Sequence, residues 1–372
     1  LYQLITAPYL DKYVVMRPGA VGAITIPEPH FRELADLPED DPVPSWLIDA
    51  AKRQFELDLT GQPLNPTVLV REPGRFGYAR CSYELNLGCN FGCEFCYLGP
   101  KPFASLDWPD RAKLLKIMRD AGVLFIQMTG GEPTIDPLFV QTYERAVALG
   151  MLVNLSTNGS NLHNPRILET LRRHPPYRIA ISVYGATETT YDTVVQRKGM
   201  FKRFIKGIDA GVGAGLRIRL NPVISADNGH EVAAMEDLAR ERGVEFHTYV
   251  NMSPTIQGTG EPIVLQSQAH LRKRKRFEGC NAGHTFFHAD PHGRASICKV
   301  GRDDAIPLVE EGLEGLARLG QIADRLQLRT GGCSGCSLSG TCFTCPPLAR
   351  LYHESGAPRR NFCQHPEPKG GE

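Results

Sequence analysis

The sequence predicts an α/β protein, a partial (β/α)6 barrel with a small α+β unit before it and a turn-rich, cysteine-bearing unit after it. Two observations predict the barrel. Six short β-branched or apolar runs read as strands, Tyr83 to Leu87, Val123 to Thr129, Leu152 to Thr157, Arg178 to Tyr184, Arg217 to Val223 and Glu245 to Val250. Amphipathic stretches alternate with them, Trp108 to Ala121, Pro137 to Leu149, Thr187 to Gly211 and Glu231 to Arg242, several closed by a glycine. Strands separated by helices at about 25 to 40 residues imply parallel βαβ units with right-handed crossovers.

Ahead of the barrel, residues 1–75 read as a hairpin, Tyr9 to Met16 and Gly22 to Ile26 around Pro18-Gly19, then two helices, Pro29 to Leu37 and Ser45 to Leu59. The acidic, proline-bearing run Leu37 to Pro44 joins those helices as a loop. Residues 76–252 hold the barrel. In residues 253–372, Ser253 to Pro262 is a linker rich in Gly, Pro and Thr, and the rest lacks periodicity, so its core is expected to form around metal. The basic run Arg272 to Arg276 reads as a solvated helix face.

A net charge of +1 with 42% hydrophobic and 22% charged residues is the composition of a soluble globular protein, and argues against a dedicated nucleic-acid binder. No run approaches the roughly 18 apolar residues of a membrane span, and the start lacks a signal-peptide profile, so no membrane and a cytoplasmic location are expected. Reducing compartments disfavour disulfides, which leaves metal ligation or catalysis for the 11 cysteines. They fall into two groups, Cys89, Cys93 and Cys96, and then Cys280, Cys298, Cys333, Cys336, Cys342, Cys345 and Cys363, with Cys81 outside both.

Cys89, Cys93 and Cys96 have the spacing C-x3-C-x2-C directly after the first barrel strand, where Gly88 and Gly92 permit a tight loop. Three thiolates hold three irons of a 4Fe-4S cube and leave the fourth open to an exogenous ligand. A three-cysteine zinc site with a distant fourth ligand is the alternative. With Phe95 before the last Cys and Gly130-Gly131-Glu132-Pro133 after the second strand, the sequence resembles the radical S-adenosylmethionine (radical SAM) superfamily. The resemblance implies that Gly130, Gly131, Glu132 and Pro133 contact the methionyl ammonium of SAM, the carboxylate pairing the cation and the glycines allowing close approach. Ser156 and Asn158, at the end of strand three, and Ser182, at the end of strand four, sit where parallel α/β proteins place ligand-binding groups; the resemblance puts Ser182, Arg197 and Asn221 at or near SAM, with Tyr97 stacked near the adenine.

The second group reads Cys280-x12-Gly293-x4-Cys298, Cys333-x2-Cys336-x5-Cys342-x2-Cys345 and then Cys363. This resembles the SPASM extension of radical SAM peptide-modifying enzymes, which carries two auxiliary clusters, although Phe343 and Thr344 make one spacing a residue shorter than the usual pattern. Paired CxxC units of a zinc ribbon are the alternative. The resemblance assigns Cys333, Cys336, Cys342 and Cys363 to an outer cluster. It assigns Cys280, Cys298 and Cys345 to an inner one that is a ligand short, since Arg274 stands where relatives have a further Cys. Cys81, His284, His288, Asp290 or a substrate thiolate are the candidates for the gap. Cys81 also reads as a buried core thiol. His284, His288 and His292 are spaced by four, but Gly283, Pro291 and Gly293 point to polar residues of a β-hairpin.

The resemblance implies three 4Fe-4S clusters, SAM, an electron donor such as flavodoxin or ferredoxin, and a ribosomally made precursor peptide as substrate. A 5′-deoxyadenosyl radical would take a hydrogen atom, and an auxiliary cluster would oxidise the product radical after bond formation. The favoured outcome is an intramolecular cross-link, carbon to carbon (a cyclophane) or cysteine sulfur to carbon (a thioether). Lys299, where the sulfatase-activating branch carries Asp, lowers that option. Peptide epimerisation with Cys81 as hydrogen donor, dehydrogenation of a small molecule, and a non-catalytic electron-transfer module are the alternatives. The N-terminal unit would bind leader peptide by extending an exposed strand, or serve as a structural cap.

Overall fold

A computed structural model describes residues 2–99, 102–272 and 275–365; Arg274 and part of the basic run around it lie outside these. The N-terminal unit is a four-stranded sheet of β1 (Leu4–Tyr9), β2 (Lys12–Met16), β3 (Ile24–Ile26) and β4 (Val68–Val70), in the order β3-β2-β1-β4. The expected hairpin is the β2–β3 pair. A tighter one precedes it, β1 to β2 through Leu10, whose φ of 56° makes the turn, and β4 closes the sheet parallel to β1. Neither was read from sequence, because the β1–β2 turn at Leu10 carries no glycine or proline and β4 is only three residues long.

Helices Glu28–Asp36 and Ser45–Phe55 cover one face of this sheet, burying Phe31, Leu34 and Leu47 against Leu4 and Val15. The other face, Ile5, Ala7 and Val14, packs on Leu124 and Leu152 at the start of barrel strands. Buried Arg71 ties the junction, donating to the carbonyls of Val123 at 2.9 Å and Gly150 at 3.1 Å.

Strands β5 (Arg80–Glu84), β6 (Phe125–Thr129), β7 (Leu152–Thr157), β8 (Arg178–Val183), β9 (Ile218–Pro222) and β10 (Glu245–Phe246) pair in parallel in sequence order, as the six runs predict. The first starts three residues earlier than expected, which brings Cys81 inside it. The long helix expected over Thr187 to Gly211 is two, Glu188–Val194 and Met200–Gly213, broken where Gln196 and Gly199 take φ of 54° and 77°. The sheet also continues past β5. β11 (Phe286–Ala289) joins β5 in parallel, followed antiparallel by β12 (Arg294–Ser296) and β13 (Ile306–Pro307), so the cysteine-rich segment is welded to the barrel by backbone hydrogen bonds. His288 lies on the β11 strand of this hairpin and His292 in its turn.

Side chains alternate across the strands, and neighbours in register share a face. One rung, Tyr83, Met128, Leu155, Ile179 and Ile218, is buried under the helices. The next, His288, Ser82, Gln127, Asn154 and Arg178, faces the concave side. Parallel strands covered on both faces are usually apolar throughout. Here only the helix side is, and the inner wall is polar. Among the described residues, no helix is long and apolar enough to cross a membrane.

One buried ion pair holds the helix layer to the loops above the sheet. Arg111, on helix Trp108–Asp120, is fully buried and donates to both oxygens of Asp136 at 3.1 and 3.0 Å, and to the carbonyls of Leu85 and Leu106 at 3.3 and 3.2 Å. Removing one partner of a buried pair strands the other's charge, at about 3 to 5 kcal/mol. Asp136→Ala is therefore expected to lower the denaturant midpoint by that amount of stability, measured by anaerobic guanidinium unfolding; a loss under about 1 kcal/mol would contradict the assignment.

Candidate functional site

The three-cysteine loop leaves the C-terminal end of β5, where open parallel sheets place ligand-binding groups. Cys89, Cys93 and Cys96 line one cavity of about 480 Å³ together with Phe91, Gly92 and Gly99. The loop folds on its own sulfur, the Phe91 amide donating to Cys89 Sγ at 3.4 Å, and is pinned from outside by Gly92 N–H to the Val195 carbonyl at 2.9 Å. Arg197 donates to the Asn90 carbonyl at 3.0 Å. Three thiols around a cavity, with no fourth from the same loop, fit an iron-sulfur cube that keeps one iron open. Among the described residues, no three His, Cys, Asp or Glu side chains converge tightly enough to grip a single metal ion.

The Gly130-Gly131-Glu132-Pro133 turn lies directly on this loop. Its backbone donates from Gly131 to the Asn86 carbonyl and from Glu132 to the Gly88 carbonyl, each at 2.8 Å. A Cβ on Gly131 would stand 2.1 Å from the Gly88 oxygen and 2.3 Å from the Leu87 oxygen, and one on Gly130 2.3 Å from the Asn86 oxygen. Gly130 also has a φ of 130°, a conformation that favours glycine. The glycines are thus demanded by the approach of two backbone segments of this chain, before any ligand is considered.

Glu132 is held by this chain's own donors. It is fully buried, Oε1 accepting from Thr134 N at 3.0 Å, Thr134 Oγ1 at 2.5 Å and Thr157 Oγ1 at 2.6 Å, while Oε2 accepts from Asn158 N at 2.6 Å. Burial pushes its pKa up against the pull of these four bonds. The carboxylate is a tie between the loops after β6 and β7. Asn158 extends that tie, its Nδ2 donating to Asn90 Oδ1 at 2.8 Å and lying 4.0 Å from Cys89 Sγ.

Residues 83–239 match the model of the radical SAM superfamily. The chain contains a radical SAM domain. It is 29% identical over 181 residues to the AdoMet-dependent heme synthase of Methanosarcina barkeri, covering 48% of this chain and 51% of that protein. It is 24% identical over 236 residues to the mycofactocin maturase MftC of Mycobacterium tuberculosis, covering 59% and 60%. The matched stretch thus spans about half of these curated relatives. Streptococcus suis SuiB, solved bound to precursor peptide SuiA, superposes with a TM-score of 0.61 at 14% identity, over 92% of this chain and 93% of that one. At that identity the likeness is one of fold, and it extends through both flanking units.

Within the radical SAM domain, the other expected SAM residues divide. Ser182 and Asn221 are register partners on β8 and β9, and Asn221 accepts from Arg219 Nε at 2.9 Å. Ser156 points to the concave side and accepts from Gln127 Nε2 at 2.7 Å. Tyr97 turns its hydroxyl to Glu84 Oε1 at 3.2 Å, and burial raises its pKa well above the ordinary phenol value. It is a strut between the cysteine loop and β5, which leaves stacking to its ring face alone.

Glu84 is the residue that sequence reasoning missed. Burial would raise its pKa, but His288, at 3.5 Å, and Arg302, bidentate at 2.7 and 3.0 Å, hold it well below the carboxylate range. Burial lowers the pKa of His288 against the pull of Glu84, and its Nδ1 lies 2.8 Å from Ser82 Oγ. Arg302 also donates to the Lys299 carbonyl at 2.8 Å, so Glu84 links the cysteine loop, through Tyr97, to the loop that carries Cys298.

Four of the C-terminal cysteines gather at one pocket, and two others lie near each other. Cys333, Cys336, Cys342 and Cys363 line one pocket, with His353 Nε2 at 3.4 Å from Cys333 Sγ and His365 Nε2 at 3.1 Å from Cys336 Sγ. Cys280 lies close enough to Cys298 to raise its pKa, after burial as the larger cause, and Cys345 caps the start of helix Pro346–Glu354. The candidates for the missing inner ligand are engaged elsewhere. His284 pairs with Asp324 at 2.8 Å, His288 with Glu84, and Asp290 accepts from His292 N and Arg294 Nε at 2.9 and 2.8 Å. Cys81 shares its rung with Phe287, Ile126 and Val153, so its thiol sits in the helix-side core, as a buried structural cysteine would.

Gly131→Ala is expected to weaken SAM binding by at least about tenfold, because a 2.1 Å contact forces the turn off the cysteine loop. Anaerobic equilibrium dialysis with labelled SAM measures it; unchanged binding would contradict the packing account.

Proposed function

We propose that this chain is a radical SAM enzyme that installs an intramolecular cross-link, carbon to carbon or cysteine sulfur to carbon, in a ribosomally made precursor peptide. The observation that carries the proposal is the joint presence of the clamped three-cysteine loop and a fold shared with SuiB over nine-tenths of the chain, flanking units included. SuiB was solved bound to a precursor peptide, and MftC is named a maturase. A cluster on Cys89, Cys93 and Cys96 with SAM at its open iron would supply the 5′-deoxyadenosyl radical that removes a hydrogen atom from the peptide.

The chain's own residues supply the rest. The backbone of Gly130 and Gly131 and the polar ends of β7 to β9, Ser156, Ser182 and Asn221, would receive SAM, with Glu132 fixing the turn beneath it. The polar inner wall would hold the peptide segment, and the Cys298 loop, anchored by Arg302 on Glu84, would close the concave side against water. Cys333, Cys336, Cys342 and Cys363 form a complete donor set for one auxiliary 4Fe-4S cluster, and Cys280, Cys298 and Cys345 would hold a second. Residues 1–75 would serve as the leader-recognition unit. A flavodoxin or ferredoxin would supply the electron in a cytoplasmic setting. Against epimerisation by way of Cys81 stands the place of that residue on the helix-side rung of β5.

The test is the mass of a candidate precursor peptide, sought as a short reading frame beside this chain's gene, after anaerobic incubation with reconstituted protein, SAM and a reductant. The expected product has lost two hydrogen atoms, with fragmentation blocked inside a ring. Unchanged mass with deuterium taken up from solvent would mean epimerisation, and unchanged mass without exchange would contradict the proposal for that peptide. Cys93→Ala is expected to abolish both the mass change and 5′-deoxyadenosine formation.

A further inference from the structure

The concave face of the sheet encloses a cavity of about 540 Å³ whose charge is one-sided. Arg80, Arg178, Arg219 and Lys299 line it, with Ser82, Gln127, Asn154 and Ser156 between them, and no Asp or Glu is among the lining residues. The nearby carboxylates are few and shared. Glu245 lies 2.8 Å from Arg217 and 4.0 Å from Arg178, at the rim, and Glu84 is taken up by Arg302. Arg80 has a phenol, Tyr9, at 2.8 Å, and Arg219 has the amide of Asn221 at 2.9 Å and Glu245 as its register partner on β10, so one carboxylate is divided among Arg178, Arg217 and Arg219. Arg178 Nε is buried without a hydrogen-bond partner. Lys299 adjoins Cys298, so the three arginines define the excess charge.

An excess of guanidinium donors in a part-enclosed cavity costs free energy unless a ligand supplies acceptors. At the Arg80 and Arg178 end of the cavity that ligand is not SAM. Arg80 and Arg178 open their strands, whereas the cysteine loop and the glycine turn follow the strands' other ends, about 13 Å away along β5 at roughly 3.3 Å per residue. A planar carboxylate matches the guanidinium fork, and the hydroxyls and amides between the arginines complete the shell around it.

We infer that this cavity is a carboxylate subsite, which seats an acidic group of the substrate peptide on Arg178 and Arg219. The inference rests on the proposed peptide substrate and names a chemical feature of it. The carboxylate orients the peptide so that the segment next to it lies toward the SAM end of the barrel. A substrate with an acidic residue next to the modified position meets that requirement, and so does one modified close to its C-terminus.

The test uses full-length, anaerobically reconstituted protein with SAM present and three fluorescein-labelled pentapeptides as probes, read by fluorescence anisotropy. The first has a central Glu and an amidated C-terminus, the second a central Gln and an amidated C-terminus, and the third a central Gln and a free C-terminal carboxylate. The first or the third is expected to bind about tenfold more tightly than the second, the size of a charge-assisted bond, and which of them does so identifies the source of the carboxylate. Arg178→Gln and Arg219→Gln, made separately so that a misfolded variant does not end the test, are each expected to erase the preference while leaving the second peptide's affinity unchanged. Equal binding of all three peptides, binding of none, or a preference that survives both variants would overturn the inference. Formation of 5′-deoxyadenosine by the reduced wild-type protein, measured alongside, reports on the radical SAM reading independently.

Discussion

The contact on which the site depends is the approach of two backbone segments with no side chain between them. Gly130 and Gly131 lie against residues 86–88 so closely that a methyl group on Gly131 would sit inside van der Waals distance of two carbonyl oxygens, and one on Gly130 inside that of a third. Two 2.8 Å hydrogen bonds hold the segments together. That contact sets the height of the glycine turn over the three-cysteine loop, and hence the distance between the two halves of the site. Glu132 fixes the same turn from below, its four accepted bonds reaching β7, and Asn158 carries the connection on to Asn90 and Cys89. A shift in any member moves the cysteines.

A second connection runs through the inner wall. Glu84 ends β5 on the concave side, and its carboxylate gathers Tyr97 from the cysteine loop and Arg302 from the Cys298 loop. A carboxylate with no exposure is tolerated there because a bidentate guanidinium meets both oxygens. The consequence is architectural. The cysteine loop and the C-terminal segment are registered to one another through one side chain, while β11 ties the same segment to β5 by backbone pairing. Positions of groups held at these two places are therefore set by the barrel, not by a flexible linker.

The chemistry of the site was more legible than its mechanics. Cys89, Cys93 and Cys96 declare themselves by spacing, and the glycine turn by its place after the second strand. The six strands were visible because β-branched runs alternate with amphipathic helices. What escaped has a physical reason in each case. The bonds that fix Glu132 were hidden because sequence does not record how many internal donors surround a carboxylate. The break between Val194 and Met200 was hidden because Gln196 takes a left-handed conformation without being glycine. β11 carries little periodicity and gains its strand from pairing to β5. The alternation that makes the inner wall polar was present in runs such as Arg178 to Tyr184, but an apolar average over each run concealed it. Arg80, Arg178 and Arg219 emerge as a group only once register sets them around one cavity.

The account turns on whether the loop holds a cluster with an iron open to SAM. Electron-nuclear double resonance on the reduced protein, loaded with SAM carrying nitrogen-15 at its amino group, reads that directly, because only a cluster whose iron binds SAM gains a strong nitrogen-15 coupling. A strong coupling to the labelled nitrogen is predicted, and it should disappear in Cys93→Ala. A reduced cluster signal with no nitrogen-15 coupling in saturating SAM would contradict the assignment of Cys89, Cys93 and Cys96 to an open-site cluster.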